Sequence, residues 1–220
     1  MIEIEIYEEK TVGKKNKTSL LTKSRSKSYY DNEDIKYFNK SEYTLLIDKA
    51  NKFYKYVYLL FFETGSRVEE AREIRYCDVD FDSNKIKVKI SKQRNKNTYR
   101  VLPISDTLKA AMLQHKMENN LENDDYILSK KHSSTPIIRQ AFDKKMKYDC
   151  ELLRIEKSKA HMHTWRHTRA IQLLESGVDI IKVQKFLGHA SIQNTLIYLK
   201  YSNKDFDKAI INANKNIGLL

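Results

Sequence analysis

Proline and glycine are scarce in this chain, with two and five residues in 220. That shortage of turn-formers fits helices better than a β-sandwich. Cysteine is nearly absent too: Cys77 and Cys150 lack metal-ligand spacing and read as two reduced, ordinary side chains rather than a disulfide or a zinc site. No long apolar run exists. The longest, 57–62, follows Tyr54 and Tyr56 and falls far short of the roughly 20 residues a bilayer-spanning helix needs, so no membrane segment is expected. The first five residues, Met-Ile-Glu-Ile-Glu, are acidic and broken by charge, unlike a secretory signal, which leads to the expectation of an intracellular protein. Acid is also in deficit. Forty-one Lys and Arg face twenty-nine Asp and Glu, a net charge of +12 that suits a polyanionic partner, nucleic acid ahead of an anionic membrane.

The chain divides near residue 38. Ile2, Ile4 and Ile6 alternate with Glu3 and Glu5, the period of a short half-buried strand. Residues 14–27 hold six Lys or Arg, no acid and many Ser, Thr and Asn, a composition that builds no core and reads as a basic flexible arm or a solvated linker. From 39 to 220 the pattern is that of one α+β domain, mainly α. Ser41 is a plausible cap for a helix bearing Tyr43, Leu45, Leu46 and Ala50 on one face, and 57–62 continues as a buried helix ending at Gly65. Three strands are predicted at 79–81, 85–90 and 98–102, giving a small three-stranded antiparallel sheet with a turn at 82–84. Helical patterns then occupy 106–119, 136–149, 164–175, 179–186, 191–199 and 203–214. In the last segment Phe206, Ile210, Ala213 and Ile217 form an apolar stripe that can dock on its own domain or on a neighbouring subunit.

Three separated segments carry the candidate chemistry. They are Thr64-Gly65-Ser66-Arg67 with Glu70 following, His163-Thr164-Trp165-Arg166-His167, and Leu187-Gly188-His189 with Tyr198 nine residues on. Singly each is weak: an Arg after a Gly turn is usually a surface cation, and an HxxR pair is usually a solvated helix face. Together, in this order, they resemble the tyrosine recombinase (phage integrase) family, whose catalytic domain carries a TGxR arginine, an HxxRH box, and LGH leading to a tyrosine. The resemblance spans roughly 39–201 and includes the hairpin with Lys92 and the Val101-Leu102-Pro103-Ile104 strand end.

The chemistry of phosphoryl transfer gives these residues parts. Attack on a phosphodiester concentrates negative charge on its non-bridging oxygens, and a guanidinium can grip two oxygens where a Lys point charge cannot. Arg67 and Arg166 are the expected clamp. His163, three residues before Arg166, shares its helical face and can relay a proton, while His189 adds a hydrogen bond. Tyr198 is the expected nucleophile. With an ordinary pKa of about 10 it needs activation, which neighbouring cations would supply by lowering that value. Lys92 is expected to protonate the leaving oxygen, with Lys96 and Lys89 as rivals. Glu70 would orient Arg67, and Lys89, Arg94, Lys96 and Arg100 are expected on DNA backbone. Tyr201, three residues past Tyr198, is a rival nucleophile without the spacing from His189, and His161 and His167 are read as packing or capping residues.

The resemblance further implies double-stranded DNA as partner, cleavage and rejoining through a 3′-phosphotyrosyl bond with no metal, nucleotide or other cofactor, and a homotetramer assembled on DNA from a free monomer. It also implies a helical core-binding domain, for which residues 1–37 are too short, so a minimal recombinase stands beside the alternative of a DNA-binding fragment with little turnover. A type IB topoisomerase shares the chemistry, but the small domain and LGH box favour a recombinase. His161-Met162-His163 reads as the His-hydrophobic-His element of metal-dependent replication nucleases, yet it runs directly into a helical pattern instead of lying on a strand.

Overall fold

A computed structural model of the protein describes residues 35–90, 98–130, 135–202 and 214–215. The predicted strand at 2–6, the basic arm, Lys92, Arg94 and Lys96, and nearly all of the segment 203–220 lie outside these residues.

The fold is mainly helical with one small sheet. Helix α1, Lys40–Lys49, starts two residues earlier than Ser41 would place it, because Asn39 is the cap. Its Oδ1 accepts the Glu42 N–H at 2.9 Å, and the Glu42 carboxylate accepts the Asn39 N–H at 2.9 Å, a reciprocal box that satisfies two otherwise orphaned donors. Asn51 restarts the chain as helix α2, Lys52–Thr64, which ends at Gly65 in the left-handed conformation, φ 55°. There the Gly65 N–H closes the last turn on the Phe61 carbonyl at 3.0 Å.

Helix α2 is the axis of the core. Tyr56, Val57, Tyr58, Leu60 and Phe61 are all buried, on more than one face, as expected of a helix wrapped by others. Helices α4 (Asp106–Glu118, capped by Ser105), α5 (Arg139–Leu152) and α6 (Met162–Glu175) complete the bundle around α1 and α2. Trp165 of α6 is fully buried, stacked on Tyr58 at 5.2 Å and tilted against Phe38 at 5.1 Å, which fixes the rotation of α6 about its own axis. Helix α5 begins later than its predicted start at 136. The Ile137 N–H is held instead by the Leu128 carbonyl at 2.8 Å, so residues up to Ile138 stay extended.

The short helix α3, Val68–Arg72, leads to the antiparallel sheet β1 (Val79–Asp80), β2 (Lys85–Lys89) and β3 (Tyr99–Pro103), in the order β1-β2-β3. The pairing Ile86↔Leu102 and Val88↔Arg100 puts those four side chains on the covered face. Lys85, Lys87, Lys89, Tyr99, Val101 and Pro103 occupy the open one. Arg100, expected on DNA, is thereby a correction: strand alternation turns it inward, where it is only 6% exposed. Helix α7, Ile180–Leu187, ends at Gly188, φ 68°, and the stretch predicted as one helix over 191–199 is a short α8, Gln193–Leu196, continuing into a 3-10 turn at Ile197–Lys200. Tyr198 sits in that turn and packs into a second apolar cluster with Ala170, Ile171, Leu174, Val183 and Leu187. No helix among the described residues is long and apolar enough to cross a membrane.

Candidate active site

Two glycines that end helices bring the separated segments together. A side chain at Gly65 would meet those of Leu187 and Phe186 at 3.1 Å, and one at Gly188 would meet that of Ile90 at 3.1 Å, so at the α2–α3 turn, the end of α7 and the β2 end side chains pack directly onto bare glycine backbone. Into this seam α6 sends Arg166, itself 1% exposed. Its guanidinium donates to the Gly65 carbonyl at 2.7 Å and to the Leu187 carbonyl at 2.7 Å, joining the first box to the third. Burial, Arg67 and Arg100 pull its pKa down to about 9, which leaves it cationic at neutral pH.

Glu70 is the anionic centre of the cluster. Arg67, at the start of α3, donates a side-chain N–H to Glu70 Oε1 at 2.6 Å and its backbone N–H to Oε2 at 3.1 Å. Arg100 reaches Oε2 at 2.9 Å, and the Arg166 guanidinium stands 3.9 Å from the same oxygen. Burial by itself would push the Glu70 carboxyl up; Arg100, Arg67 and Arg166 outweigh it and hold the group below the ordinary carboxylate range. Three positive charges against one negative leave the cluster cationic, which suits it to receive a phosphate.

Tyr198 lies beside these cations. Burial pushes its pKa up to about 12, and Arg166 and Arg67 pull against that rise without overcoming it. The expectation of a depressed phenol pKa therefore fails for this arrangement, because a side chain 2% exposed loses more hydration than two partly compensated guanidiniums restore. The phenol hydroxyl is hydrogen-bonded to His167, whose Nδ1 lies 2.9 Å away. His163 is exposed, with its ring 5.2 Å from that of His167. His167, read from sequence as a packing residue, is thus at the centre. The signal was in the HxxRH box itself, since the second His follows the first by one helical turn.

His189, just past Gly188, stacks nearly parallel to the Tyr198 ring, 12° apart at 6.4 Å. Thr195, fully buried in α8, binds its Nδ1 through Oγ1 at 2.8 Å, an orienting contact that the sequence reading did not include. Burial first, and then Arg166, Arg67 and Arg100, hold His189 neutral down to about 3. Burial and the adjacent His163 and Arg166 do the same for His167, also to about 3. His161 is the extended cap of α6 and His163 lies in its first turn, so the pair does not project from one face of a strand. Tyr201, the rival nucleophile, accepts the Ile35 N–H on its hydroxyl at 2.9 Å.

An open groove of about 600 Å³ runs between β3 and α7, lined by Tyr99, Arg100, Lys182, Lys185, Gly188 and His189. Lys89 ends β2 exposed, opposite Tyr99.

Comparison with known proteins agrees with this architecture. The model of the phage integrase family matches residues 36–205. A probable integrase/recombinase protein of Methanocaldococcus jannaschii is 33% identical over 145 residues, which cover 63% of this chain and 43% of that one. The chain spans about half the length of the curated relatives it matches. Among solved structures, the catalytic domain of bacteriophage HP1 integrase shares the fold with a TM-score of 0.59 at 20% identity, covering 85% of this chain and 99% of that one. The Tn1549 transposon integrase in complex with circular intermediate DNA gives 0.68 at 17% identity, covering 84% and 68%.

Proposed function

The chain belongs to the phage integrase family of tyrosine recombinases, and from that membership we propose that it cuts and rejoins double-stranded DNA at specific sites through a covalent bond to Tyr198. The observation that supports this reading most directly is the convergence of Arg67 and Arg166 on one carboxylate, with the field of both reaching the Tyr198 hydroxyl. A DNA phosphate entering beside Glu70 is held through its non-bridging oxygens by the two guanidiniums, with hydrogen bonds from His163 and His189. The Tyr198 oxygen attacks phosphorus and gives up its proton to an imidazole, His167 standing at hydrogen-bond distance. The bond from phosphorus to the 5′ oxygen breaks, and Lys92 protonates that oxygen. A 3′-phosphotyrosine and a free 5′ hydroxyl result, and the reverse attack by a 5′ hydroxyl reseals the strand. Because bond energy is conserved in the intermediate, the chemistry needs no nucleotide, and the guanidiniums supply the positive charge that a metal ion would otherwise bring.

Glu70 orients the arginines, and Lys89, Arg94 and Lys96 steady the DNA backbone. With Tyr198 only 2% exposed, the segment around it shifts when DNA arrives. In a tetramer on DNA, contacts of the 203–220 segment with a neighbouring subunit would drive that shift.

The test is incubation of the protein with a nicked duplex that traps the cleaved strand, in EDTA, followed by denaturing electrophoresis. An adduct that survives SDS and vanishes in Tyr198→Phe is expected. An adduct that forms only with added divalent cation, or none at all, would replace this reading by that of a metal-dependent nuclease or a binding fragment.

A further inference from the structure

We propose that Arg100 is a positioning residue of the strand-cleavage site, acting through Glu70 and the end of α7 to keep Arg166 free for the phosphate. The inference rests on the recombinase reading and goes beyond its residue set. Two buried arginines, Arg166 and Arg100, are bonded in parallel ways. Arg166 joins the carbonyls of Gly65 and Leu187. Arg100, entering from the sheet, joins the residues next to them: its guanidinium donates to Ser66 Oγ at 3.1 Å, to Glu70 Oε2 at 2.9 Å and to the Phe186 carbonyl at 2.9 Å. Two guanidiniums thus cross the same seam on adjacent rungs, one from α6 and one from β3.

The second rung has an electrostatic consequence. Glu70 Oε2 stands 2.9 Å from Arg100 and 3.9 Å from Arg166. Without Arg100 the next cation within reach of Glu70 Oε2 is Arg166, and a closer pair there would spend the charge that the phosphate needs. Arg100 holds the carboxylate on its own side. Its remaining bond fixes the Phe186 carbonyl two residues before Gly188, whose missing side chain already lets Arg100 approach to 3.5 Å of where a Cβ would stand, so the His189 backbone is held as well. With a side chain 5% exposed, Arg100 supplies this without offering itself to DNA.

The test compares the full chain with Arg100→Gln and Arg100→Lys, measuring adduct formation at saturating nicked duplex, the duplex Kd, the melting temperature and the pH profile. Arg100→Gln is expected to slow the single-turnover rate by about 10–100-fold, the usual cost of losing an orienting partner, while Kd stays within about twofold. Its rate–pH curve should move to higher pH, since a partly neutralised Arg166 assists phenolate formation less. Arg100→Lys keeps a charge near Glu70 but cannot span to Phe186, and should recover part of the rate with unchanged Kd. If Arg100→Gln melts below the assay temperature, Arg100→Lys alone decides: full activity would overturn the proposal. It is overturned equally if Arg100→Gln keeps the normal rate, if the loss lies in Kd, or if the rate falls with no pH displacement, which is what simple loosening of the fold would give. Failure of the unaltered chain to form an adduct would sink the recombinase reading itself, a result distinct from an active chain indifferent to Arg100.

Discussion

The Nδ1 of His167 lies 2.9 Å from the hydroxyl of Tyr198, so the proposed nucleophile is hydrogen-bonded to a neutral imidazole before any DNA is present. Replacing His167 by Ala removes both an anchor of the resting phenol and a proton acceptor at hydrogen-bond distance. Adduct formation should slow by about 100-fold, the lower end for loss of a general base. Because the resting phenol titrates at about 12, attack by its ionised form, in parallel with transfer to His167, should make the rate of the unaltered chain climb between pH 7 and 9, measurable in single-turnover assays across that range. A His167→Ala rate equal to that of the parent chain would return the proton-transfer role to His163.

Acid should destabilise the fold through His167 and His189. An imidazole in the unfolded chain takes a proton near 6.5, whereas burial and neighbouring cations keep these two neutral down to about 3. Between those limits the unfolded state binds more protons, so stability is lost as pH falls from about 6.5 toward 3. Calorimetric melting from pH 7.5 to 4 should show a steadily falling Tm, and His167→Gln should flatten part of the fall. A Tm independent of pH over that window would contradict the buried, neutral imidazoles.

Arg166→Lys is not conservative here. A lysine can meet one of the Gly65 and Leu187 carbonyls but not both, and it presents a single point of charge to a phosphate. The cleavage rate should fall by about 100- to 1000-fold, comparable to removal of an oxyanion-stabilising donor. Melting should also drop by several degrees as one buried carbonyl is orphaned, roughly 2–4 °C for each kcal/mol in a chain of this size.

Much of this arrangement could be read from the chain before folding. The three boxes contain Arg67, Arg166, His189 and Tyr198, and Gly65 and Gly188 mark the helix ends that let those boxes meet. Which residues of 85–89 and 99–103 face inward also follows from simple alternation. That alternation, carried one step further, puts Arg100 inward beside Leu102, yet a positive charge in a basic hairpin invites a surface reading. His167 and Thr195 escaped because their roles depend on how a 3-10 turn returns Tyr198 against α6, a long-range contact with no local pattern. The sign of the Tyr198 shift was likewise beyond sequence, being the balance between burial and two nearby cations.

Thr195→Val tests the orientation of His189. The hydroxyl at 2.8 Å selects which imidazole nitrogen faces the site, and valine keeps the shape while deleting that bond. A rate loss of about tenfold with Kd unchanged is expected in the nicked-duplex assay. An unaffected rate would mean that stacking on Tyr198 suffices to set the ring.

Which oxygen joins which phosphate is what distinguishes this chemistry from its rivals. Protease digestion of the trapped adduct followed by mass spectrometry of the DNA-linked peptide reads this directly. The expected product is the peptide bearing Tyr198, esterified through its phenol to a 3′ phosphate, with a free 5′ hydroxyl on the released strand. A linkage at Tyr201, or a bond to a 5′ phosphate, would contradict it.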